Sequence, residues 1–182
     1  MAGAARSVAR ASIWRDDDRW FAALQRDAPR SYRTLWMEGQ DAFAAQRWGT
    51  GERLLRAAIA AAPDLPGPRE DLATFYAAGG QWRPAVELLR ESLALDSSRS
   101  RPWTMLPRAL LGAGDTTAAA GVAVAALRRF PGDADVGYGA VGPLVAAGNC
   151  DAARAVAAEV RSSLTPDARA RVDRHLASCR SP

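Results

Sequence analysis

Lysine is absent from this 182-residue sequence, histidine occurs once, as His175, and cysteine twice, as Cys150 and Cys179. A single imidazole excludes any site that needs two, whether a multi-histidine metal centre or a paired-histidine dyad. The Ser and Thr residues have no nearby imidazole to activate them, and Gly137-Tyr138-Gly139 is too short a pattern for a phosphate-binding loop. These shortages speak against an enzyme, and no catalytic residue, metal ligand or cofactor is assigned. No apolar run approaches the ~20 residues that cross a bilayer. The best candidates, Ala57 to Ala62 and Ala118 to Leu127, sit inside helical patterns. Met1 to Ile13 is polar and basic, without the apolar block of a secretory signal. The chain therefore reads as soluble, with no address of its own.

Every basic side chain bar His175 is an arginine, and 24 of them against 20 acids leave a net charge of +4. Arg keeps its charge at all accessible pH, which inflates the sequence pI of 9.8. The arginines are scattered between acids, and neither a basic stripe nor aromatic platforms for nucleic acid appear. Asp16, Asp17 and Asp18 form the densest carboxylate cluster. At a helix start they complement the dipole, at a few tenths of a kcal/mol each. His175, beside Arg174, reads as a solvated surface side chain.

Alanine dominates the 48% hydrophobic fraction, while Val, Ile and aromatics are sparse. Ala costs least in a helix, so composition favours packed helices over sheets. A period of 34 runs through the chain. Pro29, Pro63, Ser97, Pro131 and Thr165 stand 34 apart and close alternate helices. Twelve residues before each stand Asp17, Gly51, Ala85, Ala119 and Ala153; five before stand Leu24, Ala58, Ser92, Ala126 and Val160. Small residues there let two helices approach closely. Gly79-Gly80, Gly114 and Gly148 punctuate the turn inside each helix pair. Trp48 and Trp82, also 34 apart, read as packing between neighbouring pairs.

These columns resemble tetratricopeptide repeats over about 130 of 182 positions. The Trp-Leu-Gly-Tyr pattern of that family's first helix is partly kept, in Leu35 and Gly39, in Leu72, Ala73 and Tyr76, and in Trp103, Leu106 and Leu110. The resemblance implies an all-α, right-handed helix-pair solenoid, an α-α superhelix, of about four repeats, at 32–65, 66–99, 100–133 and 134–165. An N-terminal half-repeat at 12–31, with Trp20, Phe21 and Leu24 on one face, precedes them. An irregular stretch, 1–11, leads in, and a capping helix with its tail, 166–182, follows. The fourth unit departs most: Gly137, Gly139, Gly142 and Pro143 predict a bent or frayed first helix. Pro107 predicts a kink in the third unit.

A narrower resemblance links Trp14-Arg15-Asp16-Asp17-Asp18 and Asp27-Ala28-Pro29-Arg30-Ser31-Tyr32-Arg33 to a junction in bacterial membrane glycosyltransferase-like proteins of O-mannosyltransferase type. In those, a repeat domain follows the last membrane helix on the non-cytoplasmic side. It implies an extracytoplasmic location for a detached tail; a free-standing module would otherwise be cytoplasmic.

In a helix-pair array the first helices line a concave face. Periodicity puts there Arg33, Trp36, Gln40, Phe43, Glu70, Thr74, Arg101, Thr104, Arg108 and Tyr138. Arg and aromatic groups are the types enriched where partners dock, so a protein or peptide partner is expected, unless the face merely belongs to an internal scaffold. The Lys and Asn pattern of the chaperone-tail-binding members is missing. Cys150 lies 15 residues before Thr165 and Cys179 lies 14 after it, so an antiparallel hairpin about that turn brings them level. They pair if their Cβ atoms face inward; in a reducing compartment both thiols stay free.

Overall fold

The computed structural model describes residues 25–179. The readings placed on 1–11, on Asp16 to Asp18, on most of the half-repeat with Trp14, Trp20, Phe21 and Leu24, and on 180–182 lie outside the described residues. The chain divides after Pro63 into two compact units. In the first, α1 (Tyr32–Ala44) and α2 (Trp48–Ala61) form a helix pair. In the second, pairs are formed by α3 (Gly67–Ala78) with α4 (Trp82–Leu95), α5 (Ser100–Gly112) with α6 (Thr116–Arg129), and α7 (Ala134–Ala146) with α8 (Cys150–Val160). A short 3-10 turn, Arg161–Ser163, then leads into α9 (Pro166–Ala177). No strand occurs among the described residues.

Local chemistry sets the ends of these helices. Ser31, Asp115, Asp133 and Thr165 accept hydrogen bonds from backbone N–H groups of the first turn, satisfying donors that have no partner within the helix. The turn inside each pair needs one residue in the left-handed region. Gly80, Gly114 and Gly148 take it in the second unit, with φ of 72°, 87° and 76°. Gln46 takes it in the first, at φ 58°, in the same 34-residue register. The glycine pattern alone had not pointed to Gln46.

Packing explains the small columns. Gly51, Ala85, Ala119 and Ala153 are buried, as are Ala58, Ser92, Ala126 and Val160. Phe43 lies across Gly51, where a side chain would collide with the ring, and Gly39 lets Leu55 approach to 3.0 Å of where a Cβ would stand.

The first helix of the fourth unit, expected to be bent or frayed, does not fray: α7 runs unbroken for 13 residues through Pro143. Its glycines are points of close approach to three different neighbours. Gly137 meets Val160 of α8, Gly139 meets Thr104 of α5, and Gly142 meets the ring of His175 on α9. Helix α7 packs on α5, α6, α8 and α9, and Val141, Leu144, Val160, Leu164 and Val172 form the core around it. Close helix contact offsets the glycines' unfavourable propensity. Helix α5 likewise continues through Pro107, whose missing N–H leaves the Trp103 carbonyl without its helical donor.

Candidate functional site

A solvent-open cleft of about 700 Å³ lies in the second unit. Helix α5 contributes Arg101, Thr104, Met105 and Arg108; α3 contributes Thr74, Ala77 and Ala78; α7 contributes Asp135 and Tyr138. Trp82, at the start of α4, closes one wall and packs its indole against Gly112. Five of the residues assigned to the concave face thus stand around one cavity: Thr74, Arg101, Thr104, Arg108 and Tyr138. The threonine hydroxyls turn back to their own helices, Thr74 Oγ1 donating to the Glu70 carbonyl (2.8 Å) and Thr104 Oγ1 to that of Ser100 (3.1 Å). The Thr104 methyl packs against Gly139 of α7.

Glu70 is corrected: it is fully buried rather than presented to a ligand. Its Oε1 accepts from Ser92 Oγ (3.1 Å) and Arg99 Nε (3.0 Å), and its Oε2 from Arg99 Nη2 (3.2 Å) and Arg101 Nη1 (3.4 Å). Arg101 Nη2 also donates to Asp71 Oδ1 at 2.6 Å. A carboxylate can be buried at tolerable cost only when paired and hydrogen-bonded in this way. The hydrogen bonds to Glu70 hold the Arg99 guanidinium above its usual pKa, so it stays charged. The network ties α3 to the loop and first turn after α4. It also turns Arg101, at the cleft edge, toward acids of its own chain.

That loop is itself braced. Ser98 donates from both its backbone N–H and hydroxyl to Asp96 Oδ1, which holds Asp96 below the usual carboxylate range. Trp103 Nε1 (2.9 Å) and Arg129 Nε (2.8 Å) both donate to the carbonyl of Ser97, the residue standing where other repeats close with proline.

In the first unit, Tyr32, Arg33, Trp36, Met37 and Gln40 line a shallower hollow of about 360 Å³. Arg33 Nε donates to the Tyr32 hydroxyl at 2.9 Å, with its guanidinium 5.7 Å from that ring's centre. Phe43 is corrected: it packs over Gly51 and beside Trp48, its ring 6.3 Å from the indole, and lines neither hollow. Trp48 is 52% exposed, so it does not repeat the packing role of Trp82.

Cys150, opening α8, and Cys179, just past α9, form a disulfide with Cα atoms 5.7 Å apart. Arg154 Nη2 donates to the Cys179 carbonyl at 3.2 Å. No group of side chains able to hold a metal ion occurs among the described residues. No helix among them is long and apolar enough to cross a membrane.

Three features in and beside the cleft escaped the sequence reading although each left a trace. Ser92 breaks an otherwise apolar column because its hydroxyl serves Glu70. Asp135 stands 34 residues after Arg101 and so inherits its place on the face. Trp82 was read only as packing, and it also forms the cleft wall.

No protein-family profile and no curated protein matches this sequence. Solved structures do. The thermophilic tetratricopeptide-repeat protein TTC0263 of Thermus thermophilus aligns over 93% of this chain and 95% of its own, with TM-score 0.70 and 15% identity. YrrB, described as having an unusual peptide-binding site, aligns over 86% and 79%, with TM-score 0.67 and 12% identity. The first repeat domain of Spaghetti (RPAP3), bound to the HSP90 peptide SRMEEVD, aligns over 62% and 92%, with TM-score 0.56 and 14% identity. Helix pairs in a 34-residue register, together with these likenesses, show that the chain has the all-α tetratricopeptide-repeat fold.

Proposed function

We propose that this protein is a non-enzymatic binding module that takes a peptide segment of a partner protein into the cleft of its second unit. The observation that carries the reading is the cleft itself: a volume of about 700 Å³, walled by Trp82, lined by Met105 and alanines, and edged by charged side chains. Apolar concavities with a few polar groups are where ligands settle. Two similar folds, YrrB and the RPAP3 domain, are described as peptide-binding or peptide-bound, which supports the same class of ligand here.

The test is selection of a random peptide library displayed on phage against the whole protein, with Thr74→Trp as the blocked form. Thr74 is exposed on the cleft wall, so the indole fills the cavity without entering the core. Enriched peptides should bind Thr74→Trp at least about tenfold more weakly. If enrichment is indifferent to that substitution, the cleft is not the binding site.

The disulfide favours a second point, an oxidising compartment, since such bonds persist there and are rare in reducing ones. That is compatible with an extracytoplasmic repeat domain such as the tail of a membrane glycosyltransferase-like protein, a reading the similar folds do not support. Thiol titration of unreduced, denatured protein from its native host checks the compartment: two free thiols would exclude it.

A further inference from the structure

The geometry points to a charge-ordered site in the second unit's cleft, one that takes an extended peptide with an acidic and a basic residue about four positions apart and an apolar residue between them. The inference rests on the peptide-binding reading above and specifies its ligand.

Helices α5 and α7 stack in register. Gly139 of α7 meets Thr104 of α5, so contacting residues differ by about one repeat, and equivalent positions lie side by side. Asp135 therefore stands on α7 where Arg101 stands on α5. Arg108 lies seven residues beyond Arg101 on the same helix face, two turns or ~10.5 Å away. Asp135 and Arg108 thus mark opposite ends of the cleft.

The charges at these positions are not equally available. Arg101 is bridged to Glu70 and Asp71, and with Arg99 these four groups sum to zero charge. Arg108 makes no hydrogen bond or ion pair with any described residue, nor does the Asp135 carboxylate. The cleft consequently offers one available cation and one available anion. Between them by helix position lie Met105, Tyr138 and Thr104, whose hydroxyl is already used, while Trp82, packed on Gly112, flanks the Arg108 end.

A ligand matched to this surface places a carboxylate at Arg108, a cation at Asp135 and an apolar side chain on the floor between. With the helix axes ~8–10 Å apart and ~10.5 Å of rise between the two positions, Arg108 and Asp135 start ~13–15 Å apart, about four extended residues at ~3.3 Å each. An extended strand suits this spacing, because residues i, i+2 and i+4 line one face and turn the acid, the apolar residue and the base toward the cleft together. A peptide with the charges transposed sets like against like at both ends, which is how such a site rejects wrong partners.

The experiment extends the phage selection with the doubly charge-swapped protein, Arg108→Glu with Asp135→Arg. Both residues are exposed, so the fold tolerates the exchange. Peptides enriched on the wild type should carry the acid and base in one order. A synthetic peptide of that sequence should bind about tenfold better than its charge-transposed isomer. The swapped protein should invert that preference. Peptides that lose binding on Thr74→Trp yet show no charge order would overturn this inference and leave the binding reading standing. If no peptide depends on Thr74, both fall.

Discussion

Between α3 and α5 the boundary of two helix pairs is closed by a buried carboxylate; where α9 meets α7 and α8, it is closed by absent side chains on α7 and a covalent bond from α8. At the first boundary Glu70 gathers Ser92, Arg99 and Arg101, so polar groups fix how the loop after α4 lies on α3. At the second, Gly142 lets the His175 ring come within 3.4 Å of where a Cβ would stand, and the Cys150–Cys179 bond holds the end of α9 to the start of α8. The same repeat thus meets one packing demand with directional chemistry and the other with close approach. Directional bonds tolerate solvent at the edge, since Arg99 and Arg101 remain 42% and 45% exposed while Glu70 is sealed. Close approach needs a dry contact, and α9, with Val172 as its one buried side chain within the helix, supplies little of it. The disulfide compensates for that thin apolar face.

The largest effect should come from the carboxylate boundary. Glu70→Ala strands Arg99 and Arg101 and leaves a void, and should lower unfolding stability by about 3–5 kcal/mol. Glu70→Gln, which keeps the volume, should cost less. Denaturant unfolding of both variants checks this, and an Ala variant within about 1 kcal/mol of wild type would show that the network is incidental.

At the other boundary, the double variant Cys150→Ser, Cys179→Ser, or simple reduction, should cost about 3 kcal/mol for a 29-residue separation. Hydrogen exchange should report the loss first in α9. Equal loss in α3 would blur the contrast between the two boundaries.

Gly139→Ala should destabilise by about 1–3 kcal/mol, because its Cβ would stand 2.9 Å from the Thr104 carbonyl oxygen. Gly121→Ala on α6, where nothing lies within 4 Å, should stabilise by up to about 1 kcal/mol. Paired thermal melts with shifts of opposite sign confirm that the α7 glycines serve contact rather than flexibility. The turn of the first unit offers a similar test: Gln46→Gly relieves a left-handed non-glycine residue and should gain roughly 0.5–1 kcal/mol.

The smallest effect concerns acid. Asp96, by the first boundary, is held below its ordinary pKa chiefly by the Ser98 hydroxyl, and Asp173, on α9, chiefly by its hydrogen bonds from Arg161. A depressed folded-state pKa gives stability that is present above the unfolded value of about 3.8 and is lost as pH falls through the folded value. Asp173 is exposed and Asp96 half-buried at the surface, so the loss is minor. Unfolding curves of Asp173→Asn should converge on wild type below that pH.

How much of this was legible without coordinates depends on the range of the interaction. Helix identity, pair length and the closing turns follow from patterns within a few residues, and the 34-residue period aligns them; Gly80, Gly114 and Gly148 could be placed because the left-handed turn strongly favours that residue. The cleft face was legible at Thr74, Arg101, Thr104, Arg108 and Tyr138 because helical periodicity places side chains on a face. The same rule failed at Glu70 and Phe43. Periodicity says where a side chain starts, and cannot say whether a loop 29 residues later folds over it, as Arg99 does over Glu70. Nor does propensity reveal that Gly137, Gly139 and Gly142 each face a different helix. Sequence alone determined the repeat, because its signals are local and periodic. Tertiary structure alone decided which charges are spent within the chain and which remain for a partner, because that depends on what distant segments bring to the same place.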